Sequence, residues 1–520
     1  MEQETKNAGR QARDGDNTSL WQDSAGQNHV VSPVPQIDQI YDTLIVGAGI
    51  TGLTTALLLQ KAGKKCIIAE AHEPGFGTTG GTSAHINTFA DTSFDQVEKD
   101  FDLDTSKLFA ESIADSVALI SENVAAYQID CDFEWKQAFL YAETEKEAKE
   151  LESLYQGVIN SGVKVDKTES VPTKAIFENA LVFPGQAQFH PLKYLAALLE
   201  EFVKSGGIIR ENTLIDGTEI EGDYHICNSA KGIIKARNVV YATHIPPGGI
   251  NILHFRCAPY RSYVIAATLK DESYPADLIY DMQDPYHYIR THVVDGQQYV
   301  VAGGHDHKTG HGDPQQSFAD LEAYLRSYYE VDQVVYRWSS QYYVPADGLP
   351  YIGKLPGAAD GIFAATGFNG NGMNLGTISA IALSELILTG RPKYEDIFSP
   401  ARIKPIAGFT EMVKESADVA FRFIADRFEV EKIPSLAEMQ NGTGQVVKYQ
   451  DQKVAIYKDN FGVIHALNPV CTHAKCIVAW NTSEKSWDCP CHGARFDCDG
   501  HVLTGPARED LEKIELRGQK

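Results

Sequence analysis

Residues 42–52 read DTLIVGAGITG, and this stretch decides the fold of the first part of the chain. It places an apolar strand directly before a G-x-G-x-x-G turn, and a predicted helix over about residues 51–62 follows the turn. A second apolar strand, KCIIA at residues 65–69, completes a strand, turn, helix, strand unit. In this setting the glycine spacing predicts a dinucleotide-binding βαβ unit.

Each glycine of this turn has its own physical role. Gly47 permits the tight turn, Gly49 lets the backbone approach a pyrophosphate, and Gly52 lets the helix pack closely on the strand. The N-terminus of the helix attracts phosphate charge, and Glu70 follows the second strand, where it can accept hydrogen bonds from a ribose. The predicted nucleotide contacts are Gly47, Ala48, Gly49, Ile50, Thr51, Gly52, Glu70 and Ala71.

A second glycine-rich turn lies far downstream. Residues 365–375 read ATGFNGNGMNL; a predicted strand precedes them, and a predicted helix to about residue 388 follows. Together with the early turn, this segment resembles the FAD-dependent oxidoreductases of the D-amino-acid oxidase, glycine oxidase and sarcosine oxidase superfamily. The strings VVYAT at 239–243 and LPYIG at 349–353 match that family as well. The resemblance covers roughly residues 40–390.

The resemblance implies that the cofactor is FAD rather than NAD. In that family the late helix points its N-terminus at the flavin ring and stabilises negative charge on the reduced ring. A Gly/Ser-rich stretch passes beside the ring, and residues 75–85 (GFGTTGGTSAH) lie at the matching place. The flavin contacts implied in this way are Thr79, Gly80, Gly81, Thr82, Ala84, Gly367, Gly370, Gly372 and Met373.

His85 ends the glycine-rich stretch beside the predicted flavin ring. It could contact the ring, or it could carry a covalent link to the flavin. The interpretation that we favour is a histidine that is hydrogen-bonded to nearby backbone.

The predicted substrate side departs from the family pattern. Many members carry an arginine that binds the substrate carboxylate just before the LPxIG segment, whereas residues 338–345 read WSSQYYVP here, with tyrosine at the matching place. The departure argues against a simple α-amino acid as substrate. Arg261 and Arg290 are candidates for a replacement clamp, and Tyr263, Tyr288 and Tyr343 for the cavity lining, although a structural role is the favoured interpretation of each.

Cysteines and histidines alternate near the C-terminal end of the sequence. Cys471 and His473 form a C-x-H pair, and Cys489 and His492 form a C-x-x-H pair. A [2Fe-2S] cluster with two thiolates on one iron and two imidazoles on the other explains why each pair holds one of each. A zinc finger would instead group cysteines with cysteines and histidines with histidines. The pattern therefore predicts a [2Fe-2S] cluster with these four ligands.

These two pairs lie in a segment that closely resembles Rieske proteins. The matching strings are CTHAKC at 471–476 and CPCHG at 489–493, and GPA at 505–507 matches the proline loop that covers the cluster in that family. The resemblance spans about residues 436–520. It is the most specific signal in the chain.

Two further cysteines lie beside the predicted ligands. The resemblance implies a loop-to-loop disulfide between Cys476 and Cys491, which match the bridged pair of the Rieske proteins in respiratory cytochrome bc complexes. Two free thiols are the alternative, because disulfides are unusual in the cytosol. We expect Cys498 to be a bystander.

The predicted fold class is an α/β (α+β) FAD-binding Rossmann-like domain with a strand-rich substrate cap, plus a small all-β Rieske domain. The length of 520 residues agrees with several domains. We predict a flexible N-terminal arm over 1–38, an oxidoreductase over 39–391 with its cap within about 243–360, a helical connector over 392–434, and a Rieske domain over 435–520.

The composition excludes several classes of partner. A formal net charge of −24 argues against nucleic acid. Residues 1–36 are polar and lack the apolar core of a secretory signal, and no uninterrupted apolar run predicts a membrane span. We therefore expect a cytoplasmic protein.

Two functions fit these signals. The first is an enzyme that oxidises a small amine or amino-acid-like substrate at FAD and passes electrons singly through the cluster to an acceptor. The second is an electron-transfer or redox-sensing module without small-molecule oxidation. The strand-rich insert before residue 361 favours the enzyme, because a bare relay needs no substrate cap. The expected partners are a small substrate and a protein that accepts or donates single electrons, and the surface near the cluster histidines is the expected exit.

Overall fold

The computed structural model of the protein describes residues 15–26, 30–33, 39–402, 439–450 and 452–516. Its helices are α1 (Leu20–Ser24), α2 (Ile50–Lys61), α3 (Thr78–Gly81), α4 (Phe94–Asp100), α5 (Leu103–Ala126), α6 (Glu145–Asn160), α7 (Pro191–Lys204), α8 (Ile252–Arg256), α9 (Pro314–Tyr328), α10 (Gly372–Thr389) and α11 (Glu395–Phe398). Its strands are β1 (Ile40–Val46), β2 (Cys66–Ala69), β3 (His85–Ile86), β4 (Glu134–Ala142), β5 (Asp166–Thr168), β6 (Asn179–Gln188), β7 (Ile208–Arg210), β8 (Gly217–Glu221), β9 (Tyr224–Asn228), β10 (Ile234–Tyr241), β11 (Cys257–Leu269), β12 (Leu278–Asp281), β13 (His287–Val294), β14 (Gln297–Lys308), β15 (Val331–Pro345), β16 (Tyr351–Lys354), β17 (Ile362–Thr366), β18 (Thr443–Tyr449), β19 (Gln452–Lys458), β20 (Ile464–Leu467), β21 (Ala479–Asn481), β22 (Ser486–Asp488), β23 (Arg495–Phe496) and β24 (Val502–Thr504).

The first sheet is the predicted nucleotide-binding sheet, with strand order β16-β17-β10-β1-β2-β7. Strands β17, β10, β1, β2 and β7 run parallel, and β16 pairs antiparallel at one edge. Apolar runs such as Leu44–Val46 are buried on both faces, as parallel strands covered by other elements must be. The order confirms the predicted Rossmann-like fold class.

Helix α10 follows β17 and is the helix predicted after the late glycine turn. It has the length and hydropathy that a membrane span requires, but 67% of the tested stretch is buried inside the protein. It packs against α2 and α5. These contacts identify α10 as a core helix.

The second sheet is the cap, with strand order β15-β11-β14-β13-β12-β4-β6-β3. Helix α9 packs on it, and Phe318, Leu321 and Leu325 of this helix bury against Tyr263 and Ile265 of β11. The predicted boundaries of the cap, 243–360, are too narrow. Strands β3, β4 and β6 complete the sheet because β12 pairs in parallel with β4, a partner far earlier in the chain.

The C-terminal segment forms two small antiparallel sheets, β18-β19-β20 and β21-β22-β23-β24. Trp487 and Phe496 are fully buried in the core that also holds the cysteines of the predicted cluster. A buried ion pair between Arg495 Nε and Asp488 Oδ1, 3.0 Å apart, links the neighbouring strands β22 and β23. This is the small all-β domain that the sequence predicts.

Part of the predicted flexible arm is docked. Residues 15–26 lie on the body of the protein (residues 39–402), and Trp21 is completely buried against β11, β14 and β15. The indole also donates from Nε1 to the Thr82 carbonyl at 2.6 Å. The burial of Trp21 and this hydrogen bond fix the stretch, so the expectation of a flexible arm is wrong here. Of the predicted connector, residues 403–434 lie outside the described residues, and α11 is the helix within residues 392–402.

Candidate active site

The glycine turn after β1 packs too closely for side chains. Gly47 has a φ of 104°, in the left-handed region that favours glycine. A Cβ at Gly47 would lie 2.5 Å from the Ala242 carbonyl oxygen, and a Cβ at Gly52 would lie 2.0 Å from the Gly47 carbonyl oxygen. The strand, the turn and helix α2 can therefore approach each other only with glycine at these two positions.

Gly49 precedes helix α2, and a Cβ there would lie 3.1 Å from Thr79 Oγ1. The same hydroxyl accepts a hydrogen bond from the Ile50 backbone N–H at 3.2 Å. This contact ties α3 to the start of α2. The first turn of α2 lines a cavity, so its positive end faces the space that a pyrophosphate would fill.

Glu70 is fixed by backbone donors on both sides. Its Oε2 accepts from the Ala48 N–H at 2.7 Å, and its Oε1 accepts from the His72 N–H at 2.9 Å. Burial raises the pKa of Glu70, although these backbone hydrogen bonds oppose the shift. The carboxylate is thus held rigidly at the end of β2, where a ribose would lie.

The late glycine turn closes the other side of the cavity. The Gly370 N–H donates to Asp91 Oδ2 at 2.7 Å, and the Asp91 N–H donates to Asn371 Oδ1 at 2.7 Å. Helix α10 begins at the next residue, Gly372, so its N-terminus lies at the cavity wall. The two glycine turns, distant in sequence, therefore meet across one space.

This space is a cavity of about 670 Å³. Its lining and the close backbone approaches at the early turn fit the elongated dinucleotide that the sequence predicts. The predicted contacts that line it are Gly47, Gly49, Ile50, Thr51, Glu70, Ala71, Thr79, Gly81, Thr82, Gly370, Gly372 and Met373. The predicted contacts that do not line the cavity are Ala48, Gly52, Gly80, Ala84 and Gly367.

His85 lines the cavity and is bonded to a side chain rather than to backbone. Its Nδ1 shares a short hydrogen bond with the Tyr280 hydroxyl, and that hydroxyl accepts from Asn87 Nδ2 at 2.8 Å. Burial, together with the charge of Arg290, lowers the pKa of His85 well below its usual range. His85 is therefore a neutral, fixed imidazole at the wall.

The two candidate arginines lie outside the described cavity lining. The guanidinium of Arg290 is buried and donates from Nη1 to the Ser83 and Ala84 carbonyls at 2.9 and 2.8 Å, so it supports the loop behind the cavity. Arg261 is buried close to Asp488 of the C-terminal domain: although burial opposes the shift, Arg495 and then Arg261 lower the pKa of that carboxyl. Neither arginine is placed to clamp a substrate in the cavity.

The candidate tyrosines have three different positions. Tyr288 lines the cavity. Tyr263 lies outside the described lining and hydrogen-bonds to His307 Nε2 at 2.7 Å. Tyr343 lines the cavity, but its hydroxyl donates to the His492 carbonyl at 2.9 Å. A residue proposed for the substrate thus touches the predicted cluster loop.

The predicted cluster ligands converge in the C-terminal domain. Cys471 and Cys489 are fully buried, and the rings of His473 and His492 lie 5.1 Å apart between centroids. All four ring nitrogens are buried without a hydrogen-bond partner among the described residues. Burial lowers the pKa of His473 to about 4 and that of His492 to about 3, which keeps both rings neutral. Two buried thiols and two neutral, unsatisfied imidazoles are the donor set that a Rieske-type [2Fe-2S] cluster requires.

A disulfide joins Cys476 and Cys491 in the structure. The sulfur of Cys489 lies within 4.8 Å of both bridged sulfurs. The bridge therefore connects the two ligand loops next to one of the predicted ligands, as the sequence resemblance implies.

The cluster loops pack directly on the body. Gln341 Nε2 donates to the Gly493 carbonyl at 2.9 Å, next to the bond from Tyr343 to His492. On the proline loop, the Gly248 N–H donates to the Pro506 carbonyl at 3.3 Å. The hairpin of β21 and β22 adds Glu484, whose Oε1 accepts from the Ser339 N–H at 3.0 Å.

His254 of α8 lies against both histidine ligands. Its ring centroid is 4.7 Å from that of His473 and 5.5 Å from that of His492. Its Nδ1 accepts from the Asn251 N–H at 3.0 Å, so Nε2 carries the proton and donates to the Pro246 carbonyl at 3.0 Å. Both nitrogens of His254 hydrogen-bond to backbone groups, so His254 contacts His473 and His492 only through its ring.

The expected electron exit through surface histidines is wrong for His492, which is only 2% exposed. Its ring faces His254 and Phe255 of the body. The histidine side of the cluster site therefore points towards the flavin half of the protein.

Several site residues escaped the sequence analysis. The cavity wall includes Asp91, Tyr286 and Asp306, and His254 lies at the cluster site. Asp91, Asp306 and His254 belong to segments without a recognisable motif, and only the folded protein brings them to these sites. Tyr286 lies two residues before Tyr288, a candidate for the cavity lining, and that proximity was the one available signal.

Two protein families match the chain. The family described as FAD dependent oxidoreductase (DAO) matches residues 42–386, and the Rieske [2Fe-2S] domain matches residues 430–515. These matches confirm both predicted cofactors, FAD and a [2Fe-2S] cluster.

A relative matches nearly the whole chain, and others match about 70% of it. The protein YhfW of Bacillus subtilis (strain 168), whose name describes a Rieske 2Fe-2S iron-sulfur protein, is 33% identical over 93% of this chain and 95% of its own. Gamma-glutamylputrescine oxidoreductase of Escherichia coli (strain K12) is 24% identical over 71% of this chain and 88% of its own. The crystal structure of glycine oxidase from Geobacillus kaustophilus shares the fold, with a TM-score of 0.58 and 19% identity over 70% of this chain and 99% of that one. The chain therefore belongs to the FAD dependent oxidoreductase (DAO) family and carries a Rieske [2Fe-2S] domain after its oxidoreductase body.

Proposed function

We propose that this enzyme oxidises a small amine or amino-acid-like substrate at FAD and passes the electrons singly through the Rieske cluster to an acceptor. One observation carries the proposal. One cavity is lined by Gly47 and Gly49 of the early turn, by Tyr343, and by Gly505 and Ala507 of the proline loop. A single space therefore connects the predicted flavin position with the edge of the cluster domain.

The two cofactors supply complementary chemistry: FAD accepts a hydride, which is two electrons and a proton, whereas the cluster accepts one electron at a time. The residues proposed to hold the nucleotide end of FAD are those of the early turn with Glu70, and the late turn with α10 would hold the ring end. Cys471, Cys489, His473 and His492 would hold the cluster. Oxidation of an amine to an imine releases one hydride and one proton, so each turnover requires two single-electron transfers.

The body supports electron transfer by fixing the cluster loop. Tyr343 and Gln341 lie on one strand, β15, and donate to consecutive carbonyls of the loop, those of His492 and Gly493. Burial raises the pKa of Tyr343, so its hydroxyl remains a donor throughout the physiological range. The strand that passes the cavity thus also sets the position of the cluster.

The cavity favours an enzyme over a bare electron relay. A wall of tyrosines and carboxylates, which include Tyr286, Tyr288 and Asp306, lies beyond the predicted flavin position, and a relay has no need of such a space. The name of the Escherichia coli relative refers to an amine substrate. An amine or amino-acid-like substrate is consistent with both observations.

The experiment is anaerobic rapid mixing of the holoenzyme with a panel of amines and amino acids. We expect one class of compound to bleach the flavin absorption first, and the reduced cluster to appear afterwards by EPR. Reduction of the cluster before the flavin would reverse the proposed direction. Failure of every compound to bleach the flavin would favour the electron-transfer or redox-sensing alternative.

The proposed partner is a protein that accepts single electrons. Because His492 is buried against the body, the partner would approach the cluster domain on a side other than that of His492. Single-turnover reduction of the cluster followed by addition of a one-electron acceptor protein, with the reoxidation rate as readout, would test this arrangement.

A further inference from the structure

The end of the cavity beyond the predicted flavin position has an unusual wall. Three tyrosines and two carboxylates line it, and we refer to them as the acidic end: Tyr286, Tyr288, Tyr342, Asp91 and Asp306. These residues come from the loop before α4 and from the β13, β14 and β15 region of the cap. Only the assembled cap brings them to one place.

Asp306 has one oxygen without a partner. Its Oδ2 accepts from the Tyr342 hydroxyl at 2.8 Å, whereas its Oδ1 is buried and has no hydrogen-bond partner among the described residues. A buried carboxylate oxygen is costly to leave unpaired. The Ser262 hydroxyl lies near enough to favour the charged carboxylate, but it makes no regular hydrogen bond to Oδ1. The geometry therefore leaves room for one donor that a ligand would supply.

The other carboxylates of the wall have their partners. Asp91 Oδ2 accepts from the Gly370 N–H at 2.7 Å. Asp281, which also lines the cavity, is bonded through Oδ2 to His287 Nδ1 at 2.8 Å and accepts from the His287 N–H at 2.8 Å. Asp91 adds negative charge near Asp306, and this charge favours a cationic ligand.

A compensating side-chain cation is missing from this end. Among the described residues that line the cavity, Arg508 is the only lysine or arginine, and it comes from the Rieske domain. Its guanidinium already donates to the Asp216 and Pro247 carbonyls, at 2.7 and 3.3 Å. The carboxylate of an α-amino acid would meet like charge here instead of an arginine clamp.

The tyrosines complete the site chemically. The rings of Tyr286 and Tyr288 lie 6.0 Å apart between centroids, and aromatic faces attract ammonium groups through their quadrupoles. Burial raises the pKa of all three tyrosine hydroxyls, so the wall contributes no phenolate of its own. Asp306, whose Oδ1 has no hydrogen-bond partner among the described residues, is then the carboxylate that can pair with a bound cation.

We propose that the acidic end binds the ammonium group of a cationic amine that lacks a carboxylate beside its nitrogen, with Asp306 as the counter-ion and the tyrosines as an aromatic wall. The inference rests on the proposed function only in taking this amine to be the substrate. Recognition of the cation and its oxidation are separate properties, and they can be measured separately.

The test uses tert-butylammonium chloride as probe, because this primary ammonium ion can donate to Asp306 Oδ1 but has no hydrogen on the carbon beside its nitrogen and cannot be converted into an imine. It is titrated into the FAD-loaded full-length protein, with sodium chloride at the same ionic strength as reference, and binding is followed by calorimetry and by the flavin difference spectrum. We expect saturable binding that weakens at least about tenfold in Asp306→Asn, the loss that one charge-assisted contact of about 1.4 kcal/mol represents. Asp332→Asn, an exposed acid on β15, is the matched control and should bind like wild type.

A second variant guards against a folding defect. Tyr342→Phe removes the hydroxyl that holds Asp306 Oδ2 but keeps the aromatic ring, so a smaller loss of affinity is expected. If Asp306→Asn loses its FAD, the affinity of Tyr342→Phe for the probe becomes the deciding measurement. Unchanged affinity in the deciding variant would overturn the proposal.

The two proposals fail in different ways. Absence of tert-butylammonium binding to wild type would overturn cation recognition, even if an amino acid still bleached the flavin. Saturable binding that depends on Asp306 supports cation recognition, even if no amine in the panel reduces the flavin and the proposed oxidation falls.

Discussion

Gly493 follows the predicted ligand His492 and has a φ of 73°, so the body meets bare backbone at this point. A Cβ here would lie 2.7 Å from Gln341 Nε2 and 2.8 Å from the Tyr343 hydroxyl oxygen. Both groups are hydrogen-bond donors to the cluster loop. The absence of one side chain therefore permits the contact between the loop and strand β15.

Gly493→Ala should separate docking from cofactor binding. Overpacking of this kind costs about 1–3 kcal/mol, so we expect unchanged flavin bleaching by substrate but slower reduction of the cluster, measured by stopped-flow absorbance. Gly462→Ala is the control: its φ is 85°, but the nearest atom to its Cβ is Asn441 Oδ1 at 4.0 Å. Equal transfer rates in the two variants would show that the contact does not govern transfer.

Asp306 predicts how binding at the acidic end depends on pH. Burial raises the pKa of this carboxyl to about 7; hydrogen bonding by Ser262 and Tyr342 opposes the rise, and the like charge of Asp91 adds to it. The groups that face it from β11, β13 and the preceding loop are Ser262, Tyr288 and Tyr286, none of which ionises near neutrality. The pKa of Asp91 is also raised by burial, so both acids lose their charge on acidification.

A cation must therefore displace a proton when the pH lies below the pKa of Asp306. We expect the affinity for tert-butylammonium to fall up to about tenfold for each pH unit below about 7, and to level off above it. Calorimetric titration between about pH 6 and pH 8 measures this dependence. Asp306→Asn should abolish most of it, and a slope that survives in the variant would assign the titration to another group.

At the scale of elements, residues 15–26 connect three parts of the molecule. Asp16 pairs with Lys485 of the β21–β22 hairpin at 2.6 Å, and Trp21 donates to Thr82 beside the predicted flavin. The Trp21 ring also lies against Arg290, whose guanidinium carbon is 5.2 Å from the ring centroid. The segment thus supports the flavin loop and touches the Rieske domain.

Trp21→Ala should destabilise the protein by about 3–5 kcal/mol, because it empties a fully buried site. The unsupported loop at Thr82 should also release FAD more readily. Thermal unfolding and flavin fluorescence on dilution measure the two effects. Trp135→Ala, at a position that is 57% exposed, is the control and should change little; equal effects of the two changes would contradict the docking of the segment.

The elements with strong local patterns were predictable, and those defined by distant contacts were not. The βαβ unit was expected at residues 42–69, and β1, α2 and β2 occupy residues 40–69, because strand, turn and helix signals are all local. The cap was expected within 243–360 but includes β4 and β6, since pairing between β4 and β12 leaves no trace in either strand alone. Trp21 looked like part of a polar arm for the same reason.

In the candidate site, too, residues with a local sequence pattern were predictable and residues brought together by distant contacts were not. Spacing indicated Cys471, His473, Cys489 and His492 as ligands, and the structure brings all four together, so this assignment remains a prediction with consistent geometry. The substrate side was harder to predict, because Asp306 carries no motif. The acidic end results from the tertiary packing of several strands, which composition and periodicity do not encode.

At the scale of the whole molecule, strand β15 connects the cavity with the cluster loop. Its residue Tyr343 touches both, and the cluster histidines face the body through His254. A Rieske domain docked in this way is placed to receive electrons from the flavin of the same chain. A domain that carried its histidines at the surface would instead be placed to transfer electrons to a partner protein. The arrangement favours electron entry, rather than exit, on the histidine side.

His492→Ala tests whether the cluster lies on this path. The change removes one predicted ligand, so we expect loss of the cluster, measured as iron, acid-labile sulfide and the EPR signal of the reduced protein. Substrate should still bleach the flavin in a single turnover, because His492 does not line the cavity. Steady-state reduction of a one-electron acceptor should fall at least about a hundredfold, since an outer-shell change alone typically costs 10- to 100-fold. His501→Ala, an exposed histidine of the same domain bonded to Asp510 at 2.7 Å, should retain both activities. Full steady-state activity in a cluster-free His492→Ala protein would mean that the flavin discharges directly, and that the Rieske domain serves some purpose other than carrying the electrons of this reaction.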